Sequence, residues 1–285
     1  MGYMHIDNLY KDRRIFDFAK CYALLKVHGT SANISFKDNN LNFFSGGAKH
    51  TEFTVLFNAE EMKSKFIEIG HDNIVVYGEA YGGKMQGMSK SYGTELRFIV
   101  FDVAINNKFV SVPIAEKIAT RLGLEFVPYK LIDVSIDNIN AERDKLDELS
   151  IRRGITEPRK SEGVVLRPIT EYIDHHGNRV ITKHKNDDFA ETKTKRELTE
   201  EELKVLSDTQ EIVDEWVTPM RLTHVLDKFP DASMEQIPKI IDAMYEDVVR
   251  EAANEIIVTP QLRKFIGSKT ARMFRTRLQE SLCQS

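Results

Sequence analysis

The chain has 285 residues, which is enough for one large domain or two smaller ones, each with a buried core. A hydrophobic content of 41% and a charged content of 29% exclude an intrinsically disordered chain. Two distant cysteines, Cys21 and Cys283, exclude a disulfide scaffold and a cysteine-rich zinc site. The sequence shows neither an apolar run of membrane-span length nor a signal-peptide pattern. We therefore expect a soluble, intracellular protein of the cytoplasm without a membrane partner.

The charge is unevenly distributed along the chain, although the net charge is only −4. Residues 1–196 carry 29 basic and 27 acidic side chains, residues 197–257 carry 5 and 16, and residues 258–285 carry 6 and 1. The average charge therefore does not exclude a nucleic-acid partner, because local surfaces decide such binding.

Residue periodicity predicts a β-rich first half with a few helices. The predicted strands are 21–27, 31–36, 41–44, 73–78, 96–105, 109–112, 163–167 and 180–185. Turns are expected at 38–40, 106–107 and 175–178, the first and last of which close hairpins. Helices are expected over 54–69 and 114–122.

Residues 187–202 are polar and charged and indicate a linker. Thr199, followed three residues later by Glu202, forms a capping-box pattern that predicts the start of a helix. From residue 200 onward the apolar spacing is helical throughout. The predicted domains are an α+β domain over 1–196 and an all-helical C-terminal domain over 197–285.

Lys26 ends an apolar strand, where an ammonium group is expensive to bury. It could extend its amine to solvent, or it could be a nucleophile beside Gly29, whose missing side chain lets a ligand approach the backbone closely. Farther along, Glu79 follows a strand and Glu162 precedes one. Lys183 and Lys185 share a strand face about 7 Å apart, an unfavourable pairing unless an anion lies between them.

The order of these motifs is more specific than any one of them. K-x-H-G at Lys26, G-E at Glu79, F-D-V at Phe101, E-G-V-V-L-R-P at Glu162 and K-x-K at Lys183 follow one another in the chain. This order resembles the covalent nucleotidyltransferase superfamily of polynucleotide ligases and RNA capping enzymes. The stretches KVHGTS, GEAYGGKMQGMSKSYG, KHKNDDFAE and WVTPMRLTHVLDKF resemble the ATP-dependent RNA ligase 2 family within it, and the likeness covers roughly residues 20–255.

The resemblance implies an adenylyltransferase fold with antiparallel sheets and flanking helices, and an enzyme that uses ATP and Mg²⁺, for which Mn²⁺ can substitute. Lys26 would attack ATP and carry AMP as a phosphoramidate. The other implied roles are adenine stacking for Phe101, ribose binding for Glu79, metal binding and contact with Lys26 for Glu162, α-phosphate contacts for Lys183 and Lys185, and positions near the nucleotide for His28 and Thr30.

Two positions depart from the family pattern. Leu25 precedes the lysine where the family often has a glutamate, and Lys49 is the candidate replacement for an arginine of the second motif. A lysine is a point charge and lacks the fork of a guanidinium, so the contact geometry there differs.

We expect an RNA ligase that joins 3′-OH and 5′-phosphate ends, with nicks in duplex RNA as the favoured substrate. The alternatives are a ligase for other RNA ends or for DNA, and an inactive nucleic-acid-binding protein of the same fold. A capping enzyme is disfavoured because the tail is helical and shows no pattern of an OB barrel. The basic tail has six candidate RNA contacts: Arg263, Lys264, Lys269, Arg272, Arg275 and Arg277. The other interpretation is a basic surface helix held by acids of the same chain.

Overall fold

The computed structural model of the chain describes residues 2–174, 177–189, 209–230 and 232–283. The chain divides into two compact units, unit 1 over residues 1–186 and unit 2 over residues 187–285. The domain boundary predicted at 196/197, the helix start at Thr199 and most of the predicted linker lie outside the described residues.

Unit 1 is built on two sheets. In chain order the strands are β1 (Asp7–Asn8), β2 (Lys20–Leu25), β3 (Thr30–Lys37), β4 (Asn40–Ser45), β5 (Asn73–Gly82), β6 (Leu96–Ile105), β7 (Lys108–Phe109), β8 (Tyr129–Asp133), β9 (Gly163–Pro168) and β10 (Thr182–Lys185). The first sheet has the order β1-β10-β9-β2-β8, and the second has the order β4-β3-β5-β6-β7. All neighbouring strands are antiparallel except β1 and β10, which are parallel.

Helices flank the sheets in unit 1 and form the described part of unit 2. In unit 1 they are α1 (His50–Thr54), α2 (Ala59–Ile69), α3 (Ser89–Tyr92), α4 (Val112–Leu122), α5 (Ile136–Arg143) and α6 (Glu148–Arg152). In unit 2 they are α7 (Thr209–Trp216), α8 (Pro219–Leu226), α9 (Ile237–Glu251) and α10 (Leu262–Cys283). The predicted α+β class with antiparallel sheets is confirmed.

The two tight turns follow from their residues. Asp38 and Asn39 adopt φ of 48° and 63° between β3 and β4, and Asn106 and Asn107 adopt φ of 50° and 63° between β6 and β7. Asparagine and aspartate tolerate the left-handed region, and two such residues in succession match the twist of a hairpin.

Three predicted elements were wrong in their extent. The strand expected over 73–78 continues to Gly82, so Glu79 lies within β5 and does not follow it. The helix expected over 54–69 is interrupted after Thr54, and α2 begins after Asn58, whose side chain accepts a hydrogen bond from the Glu61 amide. The strand expected over 109–112 stops at Phe109. Helix α4 begins at Val112, because proline at the next position cannot donate to a strand ladder but is well accommodated in the first helical turn.

The core of unit 1 packs residues of both sheets against α1, α2 and α4, with Ile34, Phe66 and Val103 among the fully buried side chains. The core of unit 2 includes Trp216 and Met244. Within the described parts of the chain, no helix is both long and apolar enough to cross a bilayer.

Candidate active site

Lys26 directly follows β2 and is held in place by β9. Its backbone amide donates to the carbonyl of Gly163 at 2.9 Å, which extends the pairing of Leu25 with Val164 by one residue. Its amine lies 3.0 Å from Oε1 of Glu162, and 23% of the side chain remains exposed. The amine is therefore oriented by a carboxylate and still accessible to a ligand.

Glu162 is the buried centre of this cluster, with 2% of its surface exposed. Its Oε1 also lies 3.2 Å from Nζ of Lys185, and its Oε2 lies 3.1 Å from Nδ1 of His28. Burial opposes ionisation, but Lys26, Lys185 and His28 outweigh it and hold the pKa of Glu162 well below its ordinary value. The carboxylate therefore stays charged and connects the first and last motifs of the predicted set.

Gly163 permits the close approach that brings Glu162 and Lys185 together. It has a φ of +144°, and a Cβ on it would lie 2.1 Å from the carbonyl oxygen of His184. Any side chain would therefore push β9 and β10 apart at the pair Gly163–Lys185.

The turn after Lys26 packs against β5, which carries Glu79. A Cβ on Gly29 would lie 2.4 Å from the Ala80 carbonyl oxygen and 3.0 Å from Cγ of Glu79. Thr30 is buried and pairs with Ala80 in the ladder. Glu79 and Thr30 thus lie beside the Lys26–Gly29 backbone, as a shared nucleotide site would require.

Phe101 is half-buried in β6, and its ring meets the ring of Tyr3 edge to face at 4.9 Å between centroids. By contrast, the ring of Phe98 packs edge to face on Phe53 and Phe57 and is 9% exposed. Phe98 is therefore a core residue, and Phe101 stays the predicted stacking partner of adenine.

Lys183 lies two residues before Lys185 on the same face of β10 and pairs with Asn8 in the ladder. His5 and, more weakly, Lys183 lower the pKa of Asp7.

Lys49 is exposed at the residue before α1. Its loop runs close to Thr30, because a Cβ on Gly46 would lie 3.1 Å from the Thr30 hydroxyl.

A second buried cluster of charges links β6 to β9, and the sequence did not reveal it. Asp102 is 1% exposed and lies 3.0 Å from Arg167 and 2.6 Å from Arg179. Arg179 also pairs with Glu171, and the hydroxyl of Tyr3 donates to Asp102 at 2.5 Å. The indication in the sequence was an aspartate and an arginine inside apolar strands, since buried charges require partners.

The six basic residues of the tail divide into two groups on α10. Arg263 pairs with Asp242 at 2.6 Å, Lys269 with Asp214 at 3.1 Å, and Arg277 donates to the Thr223 hydroxyl at 2.7 Å. The other group is exposed, and no side-chain hydrogen bond or ion pair of its members is seen among the described residues: Lys264, Arg272 and Arg275. Spacings of eight and eleven residues place this second group on one helix face.

Comparison with known proteins gives the family of this chain. A sequence model described as RNA ligase matches residues 20–185, a range that contains Lys26, Glu79, Phe101, Glu162 and both lysines of β10. No match was found among curated proteins.

Among solved structures, the fold is similar to that of an RNA ligase of Naegleria gruberi. A mutant with ATP and Mn has a TM-score of 0.53, and the ligase with PPi and a mutant with AMP and Mn each have 0.52. In all three the identity is 14%, and the match covers 66% of this chain and 57% of that chain. This chain thus spans little more than half the length of those proteins, and the likeness is one of fold.

Proposed function

Because this chain belongs to the RNA ligase family, we propose that it is an ATP-dependent RNA ligase that joins 3′-OH ends to 5′-phosphate ends at nicks in duplex RNA. AMP is carried covalently on Lys26 between the steps. The observation that carries the proposal is the Lys26 amine itself, which reaches from a strand end to a buried carboxylate that Lys185 also contacts.

In the first step the Lys26 amine attacks the α-phosphorus of ATP. The charged ammonium of Lys26 first gives one proton to solvent, because only a neutral amine can attack. A nitrogen–phosphorus bond then forms, the bond from that phosphorus to the pyrophosphate oxygen breaks, and the nitrogen gives a second proton to solvent. Lys183 and Lys185 supply positive charge for the phosphate oxygens, where such charge lowers the barrier most. Glu162 orients Lys26 and does not take its proton, because a carboxylate with a lowered pKa is a weak base.

The next two steps transfer and release AMP. An oxygen of the RNA 5′-phosphate attacks the AMP phosphorus, and the bond from that phosphorus to Lys26 breaks. The 3′-OH then attacks the 5′-phosphorus, the new phosphodiester forms, and AMP leaves. Phe101, Glu79, His28, Thr30 and Lys49 are proposed to hold the nucleotide during the first step.

A divalent cation fits the donor set at Glu162, since a carboxylate is the kind of oxygen ligand that Mg²⁺ and Mn²⁺ prefer. The Naegleria structures with ATP and Mn or AMP and Mn support this choice. When bound, the metal neutralises negative charge on the phosphates and on the leaving pyrophosphate. Attachment of AMP removes the charge of Lys26, which leaves Lys185 as the cationic neighbour of Oε1 of Glu162.

The exposed face of α10 is proposed to contact RNA. Lys264, Arg272 and Arg275 point away from the helical core, whereas Arg263, Lys269 and Arg277 are engaged within unit 2. Pairing with acids of the same chain accounts for Arg263 and Lys269. RNA contact is proposed for Lys264, Arg272 and Arg275.

The test uses ATP labelled at its α-phosphate, with Mg²⁺ or Mn²⁺, followed by a denaturing gel. Label that stays with the protein and is discharged by pyrophosphate is the expected result. Failure to label the folded chain would instead favour an inactive nucleic-acid-binding protein.

The substrate is tested separately with a panel of nicked and single-stranded RNA and DNA. Sealing is expected to be fastest on nicked duplex RNA. Faster sealing of single-stranded RNA or of DNA would preserve the adenylylation chemistry and overturn the nick assignment.

A further inference from the structure

Tyr92 and Asp147 are two buried polar residues to which the proposed reaction assigns no role. They are 1% and 3% exposed, and the Tyr92 hydroxyl donates to Oδ2 of Asp147 at 2.5 Å. Burial raises the pKa of Asp147, even though that hydroxyl and the amides of Leu149 and Ser150 donate to the carboxylate. Burying two ionisable side chains away from water costs free energy, and this pair therefore calls for a functional explanation.

Tyr92 is hydrogen-bonded to the backbone that follows Lys26. Its hydroxyl oxygen accepts a hydrogen bond from the backbone amide of His28 at 3.4 Å, two residues after Lys26. Its ring is held edge to face by Tyr81 at 5.2 Å. The position of the Lys26–His28 turn is therefore tied to Tyr92, which ends the short helix α3.

Asp147 is hydrogen-bonded to the segment that precedes Glu162. Its backbone amide donates to the Arg159 carbonyl at 2.8 Å, and the amide of Ser161 donates to the Lys145 carbonyl at 3.0 Å. A bridge between Leu146 and residue 160 lies between these two bonds. This short ladder runs directly into Glu162, so a displacement of Asp147 would displace that carboxylate as well.

The two sides meet where Nδ1 of His28 lies 3.1 Å from Oε2 of Glu162. The path from His28 through Tyr92, Asp147 and the ladder to Glu162 is therefore a closed ring of contacts around the site. Such a ring sets the separation between the nucleophile's turn and the carboxylate that orients its amine.

We propose that Tyr92 and Asp147 are positioning residues for the adenylylation of Lys26, a role that rests on the proposed function. The pair touches no reacting atom. It holds the Lys26–His28 turn against Glu162, so that the amine is aligned before ATP binds. Misplacement of a reacting group by about 1 Å can reduce a rate about a hundredfold.

The experiment measures kcat and KM for ATP in the ATP–pyrophosphate exchange that reversible lysine adenylylation supports, with Tyr92→Phe, which keeps the ring and removes the hydroxyl. We expect kcat to fall about tenfold or more and KM to stay within about twofold, since every side chain proposed to contact the nucleotide is still present. The matched control is Tyr129→Phe, which removes a hydroxyl that donates to Glu116 at 2.6 Å in the same unit. It should change the melting temperature and leave kcat unchanged.

A second variant, Asp147→Ser, breaks the same link from its other end. Serine can still cap α6 but is too short to reach Tyr92. It should lower kcat like Tyr92→Phe, and the double variant should be no slower than the slower single variant. This variant keeps the test decisive if Tyr92→Phe does not fold.

Wild-type kcat in either folded variant, or a rise in KM without a fall in kcat, would overturn the positioning role. A wild-type chain that forms no lysine adduct would instead overturn the proposed function.

Discussion

Removing the amine of Lys26 is the most direct change at the scale of one residue. Lys26→Ala should abolish covalent AMP labelling, and Lys26→Arg should do the same because a guanidinium stays protonated and cannot attack. Both variants should stay folded, since Lys185 and His28 still contact Glu162. The measurement is labelling on a denaturing gel with a thermal melt as control. Retained label in a folded variant would contradict the assignment.

Glu162 gives the chain a specific dependence on acid. Its pKa is lower in the folded state than the ordinary value of about 4.3, so the unfolded state binds more protons. The ionised group stabilises the fold above about pH 4.3, and this stabilisation is lost as the pH falls further. Glu162→Gln should therefore destabilise unit 1 at pH 7, and calorimetry should show the difference from wild type narrowing toward pH 3. A difference that is constant across this range would contradict the prediction.

The residues that meet at Glu162 could be anticipated, because the motifs carry Lys26, His28, Glu162 and Lys185 in the sequence itself. The cluster at Asp102 could not. Its partner Arg167 lies in another strand of another sheet, and spacing along the chain gives no measure of that distance. What the sequence did contain was an aspartate inside one apolar strand and an arginine inside another, which signals a buried pair without identifying it.

At the scale of an element, Gly163 controls how closely β9 and β10 approach. Gly163→Ala should destabilise unit 1 by about 3 kcal/mol or more, since it adds a clash with the His184 carbonyl to the strain of a positive φ. The control is Gly70→Ala at the end of α2, where φ is +83° and a Cβ would meet nothing within 4 Å. That variant should lose only about 1 kcal/mol. Equal losses in calorimetry would show that the clash is relieved.

The apolar periodicity of the sequence predicts some elements correctly and others incorrectly. It predicted β6 over Leu96–Ile105, which are the observed bounds, because β-branched and aromatic residues strongly favour a strand. It began the predicted helix at residue 54, five residues before α2, since the apolar spacing continues through residues 55–57, and it missed α1 except for Thr54. The start of α2 is set by the side chain of Asn58, which accepts a hydrogen bond from the Glu61 amide. The spacing of apolar residues does not reveal such a bond.

At the scale of the whole molecule, α10 contributes to the core of unit 2 and is also proposed to contact RNA. Leu262, Ile266 and Phe274 are buried in the core of unit 2, so deleting the helix would damage that unit. Charge removal on the full chain is therefore the suitable change.

Lys264, Arg272 and Arg275 should be replaced together by glutamine, with Arg263→Gln and Lys269→Gln as the matched control. The triple variant should lower the salt dependence of nicked-RNA binding by close to one log–log unit for each lost phosphate contact, and the control less. Lys26 adenylylation should stay unchanged, and fluorescence of Trp216, the one tryptophan of the chain, verifies that unit 2 is folded. An unchanged slope would remove this face from the RNA site.

The parallel pairing of β1 with β10 has a consequence for biosynthesis. Thr182 lies beside Asp7 in the ladder, although the two are 175 residues apart in the chain. At ordinary translation speeds β1 waits roughly 10–35 s for its neighbour, whereas β3 to β7 emerge from the ribosome as consecutive partners. A product that terminated before β10 would leave β9 as an open edge, which favours aggregation. The strand that closes this edge is the one that carries Lys183 and Lys185, so a nascent chain gains its protected sheet and the two lysines proposed to bind phosphate in a single event.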